Sequence, residues 1–298
     1  MPQKNNFLAV SSLLGSALVW GLIWYPYRAL EAAGVGGALA SFLTYALALL
    51  PGLLLLRGRR KDLMRSPGLL IAIAISAGWC NLAYVLATLH GEVMQVMLLF
   101  YLAPLWTVLL ALGLLGEKPG MAGYLVVALA AAGAMVMLWQ PGGSLPLPRN
   151  GAEWLGLSSG MAFALSNVLS RKAQHIDVTI KAVSVWAGVT VVSLPVLLVF
   201  EQPQQALQAL PPQAWLLIVL LAAVIFAVNL IVQFGLTHTP ANRAIVIFLS
   251  ELVFAALAAY WLAFESMDWR QWLGGAMVVA AALCSGRLEW APAKSAQT

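Results

Sequence analysis

Residues 245–264 read IVIFLSELVFAALAAYWLAF, a twenty-residue run with one acid, Glu251, and no base. A charged side chain at the centre of a bilayer costs about 2.5–3.5 kcal/mol on translocon scales, so such residues are rare and default to function. Glu251 stands about ten residues into a helix entering near 240, roughly 15 Å deep at 1.5 Å per residue. Two chemistries fit it: a proton or solute-amine site lining a wet cavity, or a protonated carboxyl bonded to a neighbouring helix. Asn81 and Asn229 also fall near mid-membrane, either as two amides for the polar end of a solute or as bridges between helices, worth roughly 0.6 kcal/mol per bond. Tyr84 and Thr88 continue the Asn81 face at i+3 and i+7, and Gln233 continues the Asn229 face at i+4, so each helix carries a polar stripe. Trp20 and Trp24 lie one turn apart and, with Tyr101 and Trp106, sit deep enough to line an organic-solute pocket; Asn167 takes the place of Trp24 in a second copy described below. Arg28 and Arg171 end two helices on opposite faces, as mouth charges or as snorkelling topology markers. His90 and His238 suit helix C-termini, and Glu117 and Glu265 suit the starts of the helices that follow them. Gly156 and Gly160 form a small-residue seam for close packing or, at most, dimerisation.

The elements that must hold these residues follow from composition. The chain has 298 residues, 62% hydrophobic and only 9% charged, with mean hydropathy +0.88. Soluble domains carry about 25% charged residues, so an all-α integral membrane protein is predicted. Ten apolar stretches approach the roughly 20 residues a spanning helix needs: 7–30, 36–56, 67–89, 92–115, 119–139, 151–172, 178–200, 212–236, 240–264 and 268–288. Connectors at 140–150 and 201–211 are too short to fold alone. The first stretch is too long for a signal-peptide core and is expected to be a retained helix. Thirteen of the 16 Lys and Arg fall on one side of this topology, leaving Arg28, Arg149 and Arg270 on the other. The positive-inside rule therefore places both termini in the cytoplasm and accounts for the net charge of +5 without nucleic acid. Cys80 and Cys284 suggest neither a disulfide nor a metal site, and no cofactor is expected. The ATP-binding motif G-x-x-x-x-G-K-[ST] is absent, as is H-E-x-x-H, so neither ATP hydrolysis nor proteolysis is indicated.

The ten stretches divide into two units, 7–139 and 151–288. NLAYVLATLH at 81–90 overlays NLIVQFGLTH at 229–238, and the same shift of 148 pairs Phe100 with Phe248, Glu117 with Glu265 and Leu125 with Leu273. It also pairs Glu251 with Ala103, so the acid is not a requirement of the shared fold. Nearer the start, WGLIWYPYR at 20–28 overlays FALSNVLSR at 163–171, and Pro51 pairs with Pro195. Two tandem units of five spans must lie upside down relative to each other.

With ALVWGLIWYPYR and LAPLWTVLLALGLLGEK at 102–118 in view, the chain resembles the EamA-like branch of the drug/metabolite transporter superfamily. The second copy, LSELVFAALAAYWLAFE at 249–265, departs by Leu252 where Pro is usual and Phe264 where Gly is usual. The resemblance implies ten helices in two inverted five-helix repeats and a non-enzymatic inner-membrane carrier that exports amino acids or similar small metabolites. Alternating access would run through a cavity between helices 1, 3, 4, 6, 8 and 9. The partners so implied are a small-molecule substrate, the lipid bilayer and protons exchanged at Glu251. Two other classes stay open. One is a multidrug or lipophilic-cation exporter of the same fold; the other is a non-transporting membrane protein, for which the sequence offers no nucleophile and base cluster.

Overall fold

The structure, a computed structural model, describes residues 2–56, 66–116, 121–139, 147–238, 247 and 250–285. Its elements are α1 (Pro2–Leu22), α2 (Trp24–Ala32), α3 (Gly37–Leu55), α4 (Pro67–His90), α5 (Val93–Phe100), α6 (Ala103–Leu115), α7 (Met121–Leu138), α8 (Gly151–Lys172), α9 (Val178–Phe200), α10 (Pro203–Ala209), α11 (Pro212–His238), α12 (Ser250–Leu262) and α13 (Trp269–Ser285). Among the described residues, six helical segments are long and apolar enough to cross a membrane: Leu8–Ala32, Gly37–Leu55, Pro67–His90, Val93–Leu115, Val178–Phe200 and Pro212–Val232. Gly123–Val136 and Ser250–Leu262 are shorter apolar helices. The protein is helical and membrane-spanning.

The spans expected at 7–30 and 92–115 are present as Leu8–Ala32 and Val93–Leu115, with a break inside each, and one expectation, for Glu265, needs correction. The stretches 7–30 and 92–115 are each two helices, because a proline without an N–H leaves the carbonyl four residues earlier unbonded. Pro26 orphans Leu22 and Pro104 orphans Phe100, and the breaks fall at Ile23 and at Tyr101–Leu102. Proline does not always break these helices, since Pro51 and Pro195 lie inside α3 and α9. The 201–211 connector contains the short α10. Glu265 does not serve the helix that follows it, for Asp268 caps α13 by accepting from the N–H groups of Arg270 (2.9 Å) and Gln271 (2.8 Å).

Glycine sets how closely the helices approach. A Cβ added to Gly78 would stand 2.5 Å from the Gly188 carbonyl oxygen, and one on Gly188 would strike the backbone of Ala74, so α4 and α9 meet backbone to backbone. Gly156 lies against Val96 and Gly160 against the backbone of Phe100, so the seam expected at these positions is spent inside the chain, between α8 and α5. Gly133 meets Gly274 where α7 crosses α13. Helices of the first unit take their main partners from the second: α4 packs on α8 and α9, α1 on α11 and α12, α3 on α9, and α7 on α13. The core these pairs enclose includes Tyr27, Leu39, Tyr45, Leu82, Trp186 and Ile218. Outward faces carry exposed Leu54, Ile71, Val191, Leu198 and Leu216, suited to acyl chains rather than water.

Gly116 and Phe264 share an unusual backbone. Both have positive φ, 68° and 55°, and they are 148 positions apart, the shift found in the sequence. Gly116 caps α6 in the left-handed region at little cost, whereas a Cβ there costs roughly 1–2 kcal/mol.

Candidate functional site

Glu251 lies in the first described turn of α12 and is half-buried. Its backbone presses on α1 at Gly21, where an added Cβ would come within 2.8 Å of the Glu251 carbonyl oxygen. The Glu251 carboxylate interacts with the Tyr101 hydroxyl, and the Tyr84 hydroxyl and the Cys80 thiol are its further electrostatic neighbours. Tyr101 occupies the break between α5 and α6, so the proline-induced interruption turns a phenol toward the acid. Tyr84 donates to Met97 Sδ at 3.2 Å. Its ring meets Phe100 edge-on at 5.7 Å, and Phe100 lies 5.6 Å from Tyr101 and 5.2 Å from Phe163 of α8. An acid, two phenols and an aromatic wall thus converge from α4, α5, α8 and α12. Such a group suits an ammonium, through the carboxylate and through cation–π attraction, and it suits a proton carried by the carboxyl itself.

The remaining expected residues are placed as follows. Asn81 accepts from the Tyr45 hydroxyl on α3 and donates from Nδ2 to the Ala77 carbonyl (2.9 Å), which makes it a bridge between α3 and α4. Asn229 donates to Ile225 (2.7 Å) in its own helix. Trp24 is 1% exposed, packed among Val93, Met97 and Ala255, with Nε1 donating to Gly21 (3.0 Å). It supports the site from behind rather than lining it. Trp20 is partly buried against the core shared by α2, α3 and α9. Asn167 is exposed on α8, and Phe163, one turn earlier, is the residue that joins the aromatic wall. Trp106 is partly buried beside Leu98 and Val108. The side chain of Gln233 lies outside the described residues, as do Glu117 and the 239–246 stretch leading to Glu251.

Arg28 is not simply a charge at a mouth. Its Nε donates to Thr88 O (2.9 Å) and its Nη2 to Gly91 O (2.8 Å), Glu265 stands 3.5 Å away, and the guanidinium lies over the Trp24 ring at 5.0 Å. Arg171 is exposed at the end of α8. His90 caps α4 by bonding Leu86 O (2.8 Å) and pairs with Glu31 at 3.7 Å.

Phe100, Cys80 and Tyr45 do not stand out in the sequence as site residues, because an aromatic or a thiol in an apolar helix looks like packing. Phe100 carries one signal, its repeat partner Phe248.

Residues 150–287 match the EamA-like transporter family. A protein of Archaeoglobus fulgidus named "Uncharacterized transporter" is 28% identical over 230 residues, 76% of this chain and 79% of the relative. An uncharacterized transporter of Pseudomonas aeruginosa is 28% identical over 169 residues, 54% of this chain and 53% of that protein. A solved structure titled only "Crystal structure of protein" shares the fold at TM-score 0.61 and 17% identity, across 93% of this chain and 96% of the other.

Proposed function

We propose that the chain, which matches the EamA-like transporter family over residues 150–287, is an inner-membrane secondary carrier that exports amino acids or related small metabolites in exchange for protons. The observation that carries this reading is the Glu251 carboxylate set beside the Tyr101 and Tyr84 hydroxyls and the aromatic wall around Phe100. A carboxyl that accepts a proton from one side releases a bound ammonium, and one that loses it binds the next. Aromatic walls supply apolar contact to the rest of the solute without fixing its identity.

Alternating access between two inverted five-helix units, 7–139 and 151–288, gives this exchange its direction, with both termini in the cytoplasm. The crosswise partnering of helices supports the duplication: α4 on α8 mirrors α1 on α11, and α5 and α6 on α8 mirror α12 on α1. The matched positive φ of Gly116 and Phe264 supports it at single-residue register.

A second reading, export of lipophilic cations, draws on the same aromatic wall with its single acid. The test is flux into proteoliposomes under an imposed pH gradient, with a panel of radiolabelled amino acids and, separately, tetraphenylphosphonium. Amino-acid accumulation that depends on the gradient supports the first reading. Flux of the phosphonium alone moves the assignment to the second, and flux of neither from folded protein removes both.

A further inference from the structure

At the end of the bundle where α2 and α4 finish and α5 begins, a carboxylate from the second half closes a helix of the first. Glu265 accepts the N–H groups of Val93 (2.9 Å) and Met94 (3.1 Å), two of the donors that a helix start leaves open. Arg28, bonded to Thr88 and Gly91, completes the contact at 3.5 Å, with Arg28 27% and Glu265 12% exposed. One ion pair therefore gathers the middle of α2, the end of α4, the start of α5 and the turn between α12 and α13. That turn is strained, since Phe264, immediately before the acid, holds φ 55° with its side chain 89% exposed.

Glu201 offers a comparison within the molecule. It accepts the N–H groups of Ala38 (2.8 Å) and Leu39 (3.0 Å) at the start of α3. Its two helices, however, are packed along their length, with Gly52 pressed on the Trp186 ring. Beneath Glu265 the packing is less extensive: the start of α5 meets α12 through Val93, Met94 and Met97 against Leu252, Ala255 and Ala259, and Gln271 Nε2 donates to Gln95 Oε1 (3.1 Å), so the Glu265 bonds are one of a few ties across that end.

We propose that Arg28 and Glu265 form a latch that holds this end of the carrier shut and must part for the end to open, whereas Glu201 is a fixed staple within one packed body. The proposal rests on the alternating-access reading above. Parting moves the Glu265 carboxylate off the α5 N–H groups and leaves Arg28 with its two carbonyls, so removing the negative charge favours the parted state. The charge-assisted contacts and the strained turn then act against each other, which sets the latch between holding and release.

The test is pulsed electron spin resonance in lipid nanodiscs, with nitroxide labels at Glu92→Cys and Ser266→Cys, both exposed, in a Cys80→Ser, Cys284→Ser background. Glu265→Gln should raise the fraction of molecules at the longer separation at least threefold, and Arg28→Gln should do the same. The double variant should go no further than either alone, and Glu201→Gln should leave the distribution as it was. Arg28→Lys, which keeps the charge but loses the fork that reaches Thr88 and Gly91, supplies an intermediate rise should Glu265→Gln not fold. Distributions for Glu265→Gln, Arg28→Gln and Arg28→Lys that all superimpose on the parent overturn the latch, as does an equal rise in Glu201→Gln. The flux assay judges the carrier reading by a separate readout, so each can fail with the other intact.

Discussion

At the scale of single residues, the proposed chemistry concentrates on Glu251 and the phenol of Tyr101. Glu251→Gln keeps the size and a hydrogen-bond acceptor for Tyr101 but cannot take up a proton. Gradient-driven accumulation in proteoliposomes should fall at least a hundredfold in this variant while its melting temperature stays within a few degrees of the parent; gradient-driven transport at the parental rate would remove Glu251 from the coupling step. Tyr101→Phe deletes the donor and spares the ring contact with Phe100. Losing a hydrogen bond to a charged partner costs about 1.5–3 kcal/mol, so solute affinity or coupling should drop about tenfold or more, read as KM and turnover in the same vesicles. The position of Glu251 is legible in the sequence because an acid within an apolar run violates composition. Its partners are less so: Tyr101 is visible as a deep aromatic, but nothing local to Cys80 or Phe100 says that α4 and α5 bring them to α12.

At the scale of elements, prolines and glycines determine what the helices can do. The breaks at Ile23 and Tyr101 follow from Pro26 and Pro104. Gly188→Ala would drive a methyl into the Ala74 backbone, and overpacking of that kind costs about 1–3 kcal/mol. Thermal unfolding in detergent should therefore begin at lower temperature than in the parent, and an unchanged melting curve would contradict the close approach of α4 and α9. Phe264→Gly works in the other direction. It removes a Cβ from a left-handed turn in an exposed position, so stability should hold or rise by about 1 kcal/mol despite the greater freedom of glycine. By the family resemblance, Phe264 stands where glycine is usual. It points Glu265 to the wrong helix, because an acid before a helix is a local pattern while its true partners, Val93 and Met94, lie more than 170 positions earlier. Glu201 gives no signal for the same reason: a cap supplied from a distant segment leaves no periodicity to read. By contrast, the capping box of α8, in which Asn150 Oδ1 accepts from the Glu153 N–H (2.9 Å) and Glu153 accepts from the Arg149 N–H (2.8 Å), is written in neighbouring residues.

At the scale of the whole molecule, composition alone establishes a helical membrane protein, since hydrocarbon leaves a backbone few ways to satisfy its polar groups. Orientation is a separate matter of loop charge. In a Cys80→Ser, Cys284→Ser background, Arg149→Cys should react with an impermeant thiol reagent on intact cells, and Ser295→Cys only after the membrane is opened; the reverse pattern would invert the topology. Binding of a true solute should also raise the melting temperature in proportion to the logarithm of its concentration above Kd, so a metabolite screen on purified protein identifies the solute class without any flux measurement.

The glycine seam between α4 and α9 has a mechanical side. Where Gly78, Ala74 and Gly188 meet, the two backbones touch directly, with the Val192 side chain against Gly78. Interlocked leucines would have to climb over each other for two helices to slide, losing many small dispersion contacts at once. Here a displacement along the seam would carry a residue with a Cβ into the place of Gly78 or Gly188, where none fits, so the seam works as a key that holds α4 and α9 in one register.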